Sequence, residues 1–262
     1  MQILIPLLLF AAMGLIAGVL LTVASTYFAV KSDPRKEQII EALPGANCGG
    51  CGFAGCADYA DAIVKGKAEP NLCKPGGADT TIRIGEIIGK AAVAAEPEVM
   101  VLHCAGTCNA TGRLYEYTGT PTCAAANTYF GGNGLCSYGC LGFGDCVKAC
   151  DEGGICIRDG IAHVIAERCV ACGKCATACP NGLLSLKPKS NPLTAACSSK
   201  ANGKATKAAC SNGCIGCKMC ERKCPAGAVT VQDFHAVIDY SKCTGCGTCA
   251  GVCPTGALQL VK

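Results

Sequence analysis

No tryptophan occurs in the 262 residues, and aromatic side chains make up only 5% of them. Large aromatic side chains usually dominate the energetics of a core. Their scarcity means that something other than ordinary packing holds this chain together. Histidine is also rare, at three residues (His103, His163 and His235), which argues against a series of zinc sites built from Cys–His pairs. Nucleotide-binding signatures are missing. Gly49-Gly50-Cys51-Gly52 and Gly131-Gly132-Asn133-Gly134 are glycine-rich, but neither follows a strand and opens a helix, and no Walker sequence occurs. No histidine stands beside an evident nucleophile.

Charge is absent from Ile3 to Val30, a run of 28 positions. About 20 apolar residues span a bilayer, so the run predicts a single transmembrane helix. Lys31, Arg35 and Lys36 follow it and no basic residue precedes it. The positive-inside rule then places the N-terminus outside and the rest of the chain in the cytoplasm. A cleaved signal peptide would carry a basic stretch before a shorter apolar core, whereas only Met1 and Gln2 precede this one. Gly14 and Gly18 form a G-x-x-x-G pair that permits close helix approach, although a lipid-facing coincidence fits equally well. The span holds no ionisable residue, and such residues usually mark ion pathways, so this chain is not expected to move ions itself.

What is abundant is cysteine, with 26 residues. Three runs, Cys169 to Pro180, Cys214 to Pro225 and Cys243 to Pro254, read C-x2-C-x2-C-x3-C-P. That spacing ligates [4Fe-4S] clusters, the fourth Cys of each run serving the cluster of its partner run. A disulfide scaffold is the bland alternative at this density, but C-x2-C is metal-ligand spacing. Binding energy at such sites becomes folding energy, which accounts for the thin apolar core. The formal charge of +4 counts every cysteine as neutral. Ligating thiolates reverse that sign, so no nucleic-acid partner is inferred.

Leu43 to Cys56 contains Cys48, Cys51 and Cys56 in C-x2-C-x4-C spacing, and Cys73 completes a set of four. Its glycines allow the tight turns that wrap a cubane and aim amide N–H groups at sulfur. Ala57–Lys67 and Ile82–Val93 read as short amphipathic helices, and Ala94 to Glu98 as a linker.

The remaining chain is duplicated at an offset of 74 residues, the separation of Cys123 from Cys197. Cys136, Cys140, Cys146 and Cys150 then align with Cys210, Cys214, Cys220 and Cys224, and Cys169, Cys172, Cys175 and Cys179 with Cys243, Cys246, Cys249 and Cys253. A gap-free repeat of this kind is a duplication, and each copy reads as a two-cluster ferredoxin module with short strands between its runs. Cross-ligation predicts Cys214, Cys217 and Cys220 with Cys253, Cys243, Cys246 and Cys249 with Cys224, and Cys169, Cys172 and Cys175 with Cys150. The first module has a defect, because Phe143 stands where the repeat has Cys217. Cys140, Cys146 and Cys179 are then one ligand short. Cys136 is the favoured substitute, against a three-iron cluster or a non-cysteine ligand. Asp151 stands where Pro follows the other fourth cysteines, which is expected to loosen that turn without removing Cys150. Cys104, Cys108 and Cys123, with Cys197 or Cys210, form a candidate sixth cluster, against free thiols or small core residues. Cys156 reads as a core residue in a strand.

The apolar span, the Leu43-to-Cys73 unit and the C-terminal ferredoxin runs together resemble the B-type subunit of the Rnf electron-transport complex, in the long polyferredoxin form of anaerobic bacteria. The resemblance covers essentially the whole chain. It implies a membrane complex of several membrane and peripheral subunits that oxidises reduced ferredoxin, reduces NAD and couples this to Na⁺ or H⁺ translocation. It implies metal ligands at Cys48, Cys51, Cys56, Cys73 and the ferredoxin cysteines.

The expected fold is α+β: a transmembrane anchor (1–30), a four-Cys [4Fe-4S] domain (31–93), a linker with extra cysteines (94–122), and two ferredoxin-like modules (123–190 and 191–262). Five [4Fe-4S] clusters are expected, with a sixth open. The expected function is that of a single-pass electron-transfer subunit at the cytoplasmic membrane, clusters on the cytoplasmic side and soluble ferredoxin as partner. It has no nucleotide or substrate site of its own. The alternatives are an iron–sulfur subunit of another anaerobic redox complex, or a scaffold whose metals never change oxidation state.

Overall fold

The computed structural model describes the backbone of residues 4–27, 33–93 and 95–261, with side chains of the first segment described over 9–25. Helix α1 (Leu4–Tyr27) is 24 residues long and carries no acidic or basic residue. Both ends of the Ile3–Val30 span lie outside the described residues. Among the described residues no helix is long and apolar enough to cross a membrane. The 17 described side chains of α1 cover only about 26 Å at 1.5 Å per residue.

Three helices form the next unit: α2 (Pro34–Ala42), α3 (Cys56–Val64) and α4 (Gly77–Ile88). Asp33 caps α2 by accepting from the Arg35 amide at 2.9 Å, with Pro at the first helical position. The left-handed Gly89 (φ 67°) ends α4. Ile39, Tyr59, Ile63 and Ile84 meet in the core together with Cys73. Tyr59 donates to Glu69 O at 2.7 Å and accepts from the Leu72 amide at 3.1 Å, tying the Cys73 segment to α3.

The first module comprises β1 (Glu98–Leu102), α5 (Cys123–Asn127), α6 (Asp145–Lys148), β2 (Ile155–Arg158), β3 (Ile161–Val164), α7 (Lys174–Thr177) and β4 (Leu184–Pro188). The second comprises β5 (Leu193–Ala195), α8 (Gly203–Ala209), α9 (Met219–Lys223), β6 (Val229–Gln232), β7 (His235–Ile238), α10 (Thr248–Gly251) and β8 (Leu258–Leu260). From α6 onward each element of the first begins 74 residues before its partner in the second, as the cysteine pattern requires. Each module holds two antiparallel pairs, β1–β4 with β2–β3 and β5–β8 with β6–β7. Glu98 lies opposite Pro188 and Leu102 opposite Leu184. The stretch expected as a linker therefore supplies a strand of the first module.

A hinge of backbone contacts joins the modules. The Ala105 amide donates to Ala196 O at 2.8 Å and the Ser211 amide to Ala110 O at 2.9 Å. The His103 ring spans Ala195 O and Ser185 Oγ. His163 and His235 lie on β3 and β7.

Candidate metal centres

All 26 cysteines are free thiols, which removes the disulfide reading. Among the described residues no three His, Cys, Asp or Glu side chains stand close enough to share a single ion. A cubane makes a different demand, because each thiolate binds its own iron and the sulfurs stand further apart. The cysteines gather around several cavities suited to that demand.

Cys48, Cys51, Cys56 and Cys73 line one cavity of about 320 Å³. Asn47, at φ 43°, turns the loop back so that its Oδ1 accepts from the Cys56 amide at 2.8 Å. Cys214, Cys217, Cys220 and Cys253 line a second, of about 330 Å³. Cys150, Cys169, Cys172 and Cys175 line a third, of about 380 Å³. Asp151 keeps the turn that Pro225 makes in the other module: Gly153 N–H reaches Cys150 O at 3.4 Å, and Gly227 N–H reaches Cys224 O at 3.3 Å. Its carboxylate pairs with Lys174 at 2.6 Å, so the turn is not loosened. Cys224, Cys243 and Cys249 also meet, burial and then the Cys224 charge pushing the Cys249 thiol up. Cys246 lies exposed on the same loop.

Two groupings depart from the sequence reading. Cys140, Cys146 and Cys179 share a cavity of about 340 Å³ with Cys123, not Cys136. Asp145 explains the placement. Its Oδ2 accepts from the Ala124 amide at 2.9 Å, pinning the first turn of α5 beside α6, which carries Cys146. Phe143 fills the place of the missing cysteine and packs edge-on against Tyr117, with centroids 5.4 Å apart. Cys136 instead lines a cavity of about 480 Å³ with Cys104, Cys197 and Cys210, which Cys140 of the neighbouring group also borders. Thr111 Oγ1 donates to Ala209 O at 2.7 Å and Asn212 Nδ2 to Ala105 O at 2.9 Å, which brings Cys104 to Cys210. Cys123 and Cys108 are not part of that group. Cys108 is exposed, its amide bonded to Asp159 O at 2.9 Å. Cys156 is half-buried on β2, opposite His163, rather than a core residue.

The electrostatics suit an iron–sulfur core. Burial, then neighbouring thiolates, pushes Cys146 to about 12 and Cys175 and Cys220 each to about 11. Burial also pushes Cys104 to about 12. Thiolates crowded into dry sites need a cationic core, and metal binding deprotonates a thiol outright. Amides aim at sulfur as well: Gly154 at Cys150 (3.2 Å), Leu183 at Cys179 (3.4 Å) and Ala228 at Cys224 (3.3 Å).

The groups touch one another in sequence. A Cβ on Gly50 would lie 2.9 Å from Cys172 O, so the four-Cys loop abuts the third cavity. Cys175 of that cavity packs against the core that holds Cys146. The Cys140 amide donates to Cys104 Sγ at 3.4 Å, and the Cys214 amide to Cys197 Sγ at 3.2 Å. Helix α9 then carries Cys220 with Cys224 at its end.

Comparison with known proteins finds iron–sulfur domains in this chain. Residues 43–75 match the FeS family of Fe-S cluster domains, residues 162–185 a 4Fe-4S binding domain, and residues 213–257 a 4Fe-4S dicluster domain. Only the module that lacks a Phe143-type interruption matches as a dicluster. The B-type subunit of the ion-translocating oxidoreductase complex of Methanosarcina acetivorans is 42% identical over 233 residues, 88% of this chain and 88% of that protein. The chain belongs to the family of B-type subunits of ion-translocating oxidoreductase complexes. The family member from the Na⁺-translocating ferredoxin:NAD⁺ oxidoreductase complex of Acetobacterium woodii is 39% identical over 92% of this chain and 72% of its own length. Its proton-translocating counterpart in Clostridium ljungdahlii is 39% identical over 90% of this chain and 84% of its own length. Within the family, the Rhodobacter capsulatus member aligns over only 37% of this chain.

Proposed function

We propose that this chain carries single electrons between soluble ferredoxin and the partner subunits of a membrane-bound, ion-translocating ferredoxin:NAD oxidoreductase complex. Its [4Fe-4S] clusters would be held by six sets of ligands. In contact order these are Cys48, Cys51, Cys56 and Cys73; Cys150, Cys169, Cys172 and Cys175; Cys123, Cys140, Cys146 and Cys179; Cys104, Cys136, Cys197 and Cys210; Cys214, Cys217, Cys220 and Cys253; and Cys224, Cys243, Cys246 and Cys249. The single observation that carries this reading is the direct contact between successive groups of cysteines. Bound clusters supply one-electron oxidation and reduction. The protein's residues supply the rest: thiolates that hold them, amides that hydrogen-bond sulfur, and apolar walls that exclude water. Cys108 and Cys156 take no part.

Helix α1 is the proposed anchor. Its side chains over 9–25 are apolar or small and exposed on every side, a surface that calls for lipid or a partner helix. Its 24 residues would rise about 36 Å. The cluster-bearing part then lies on the cytoplasmic side, with the four-Cys unit nearest the membrane as the electron-donating end and the second module as the accepting end.

Charge supports that direction. Lys200, Lys204, Lys207, Lys218, Arg222 and Lys223 are all exposed along the 200–223 segment that carries the exposed Cys217. None belongs to an ion pair among the described residues. Ferredoxin, whose ligated thiolates leave it acidic, is complementary to such a surface. Cytoplasmic membranes of the native host should lose ferredoxin:NAD activity on deletion of the gene; unchanged activity would reject the function. Cys243→Ala with Cys246→Ala should abolish reduction by ferredoxin while the Cys48 cluster still assembles. Normal reduction of that variant would move the accepting end elsewhere.

A further inference from the structure

Lys187 is a buried cation with no acid beside it. It lies on β4, 3% exposed, and none of the ion pairs among the described residues includes it. Its Nζ donates to two main-chain carbonyls, Asn191 O at 2.5 Å and Leu193 O at 3.3 Å. An ammonium has three donors and a full charge, and carbonyl dipoles do not neutralise it. A buried charge without a counter-charge is strongly unfavourable. The strand does not require the lysine either, because the equivalent position 74 residues on is Val261.

The surroundings name the missing anion. Asn191, whose carbonyl takes the lysine, donates through Nδ2 to Cys243 O at 3.1 Å. A Cβ on Gly245 would lie 3.0 Å from Pro192 Cδ, so the Cys243 loop rests directly on the segment that holds Lys187. Burial lowers the lysine from its ordinary value, and the charge of Cys243 opposes that shift.

We propose that Lys187, supplied by the first module, is the counter-cation of the cluster held by Cys224, Cys243, Cys246 and Cys249 in the second, and raises its reduction potential. This rests on the ligand assignment above. Four thiolates make the bound group a net anion, and accepting one electron adds one negative charge. A fixed cation across a dry contact favours the reduced form more than the oxidised form. Lys187 is thus a positioning charge, and it makes the far end of the series the easier place to put an electron.

The test is an EPR-monitored redox titration of the full-length, anaerobically purified protein carrying Lys187→Met. At a fixed potential, one cluster should show about a tenfold lower ratio of reduced to oxidised form, equivalent to about 59 mV for one electron. Lys187→Arg, which keeps the charge, should titrate like the parent. The shift should vanish in a Cys246→Ala background. If Lys187→Met loses iron, Lys187→Gln is titrated in its place. An iron-replete neutral variant with unchanged midpoints would overturn the proposal, as would a shift that survives in the Cys246→Ala background. Failure of the ligand assignment shows separately, as iron content unchanged by Cys246→Ala.

Discussion

The amide of Cys214 points at the sulfur of Cys197, 3.2 Å away. One residue opens the ligand run of the second module, and the other lines the cavity between the modules. On the other side the Cys140 amide reaches Cys104 Sγ at 3.4 Å. The intermodule group is therefore hydrogen-bonded by one cysteine amide from each neighbouring group, which makes it the joint of the series.

Cysteine replacements should sort by group. Cys123→Ala and Cys136→Ala should each cost one cubane, about four irons per chain, from different places. EPR should lose a signal of the first module with Cys123→Ala and the intermodule signal with Cys136→Ala. Cys108→Ala and Cys156→Ala should leave the iron content unchanged. Loss of the same signal from both Cys123→Ala and Cys136→Ala would contradict the grouping.

Phe143 offers a rescue. It stands where the repeat has Cys217, so Phe143→Cys should restore the cluster that Cys123→Ala removes. Iron assays on the single and double variants decide this, and no recovery in the double variant counts against it.

Asp145 is expected to matter through placement alone. Asp145→Ala removes the acceptor that holds the Ala124 amide, a capping interaction of about 1 kcal/mol. The Cys123 cluster should become the first lost under chelator, while Glu116→Ala, at an exposed site, leaves the order of loss unchanged. Timed iron release with EPR at each point measures it.

Gly50 tests the contact between the four-Cys unit and the first module. A side chain at this position meets Cys172 O at 2.9 Å, and main chain cannot step aside cheaply. Gly50→Val should keep all the iron and slow electron transfer between the Cys48 cluster and the others in flash-reduction kinetics. An unchanged rate means that electrons reach Cys48 by another route.

Acid should favour loss of iron. Burial first, then neighbouring thiolates, raises Cys146 from 9.0 to about 12, and burial raises Cys104 likewise. These thiols are protonated at neutral pH in the iron-free fold, so each releases a proton when iron binds and iron retention weakens as pH falls. The iron-free fold has the opposite sign. Its thiol values lie above the unfolded value, so this contribution to stability is complete below about pH 9 and is lost as pH rises towards 12. Bleaching under chelator at stepped pH checks the first trend and thermal melts of apoprotein the second.

Most of the architecture was legible because cluster ligation fixes spacing. The offset of 74 matches elements as well as cysteines, and cysteines of partner runs line common cavities. What stayed hidden depends on contacts distant in the chain. Cys136 lies closer in sequence than Cys123 to the interrupted run, and proximity favoured it. The deciding signal was Asp145, which stands where the repeat has Met219 and captures α5. Cys104 reaches Cys210 through long-range contacts of Ala110, Thr111 and Asn212, which no ligand spacing announces. Residues 98–102 fell within the 94–122 stretch read as a linker with extra cysteines, because their strand partner, β4, lies more than eighty residues away.

The most direct test of the account is iron and acid-labile sulfide quantitation on anaerobically purified, full-length protein. Six cubanes correspond to about 24 irons per chain, and that is the expected value. A stable content near 20 irons would remove the intermodule cluster, and a colourless, iron-free protein would contradict the account as a whole.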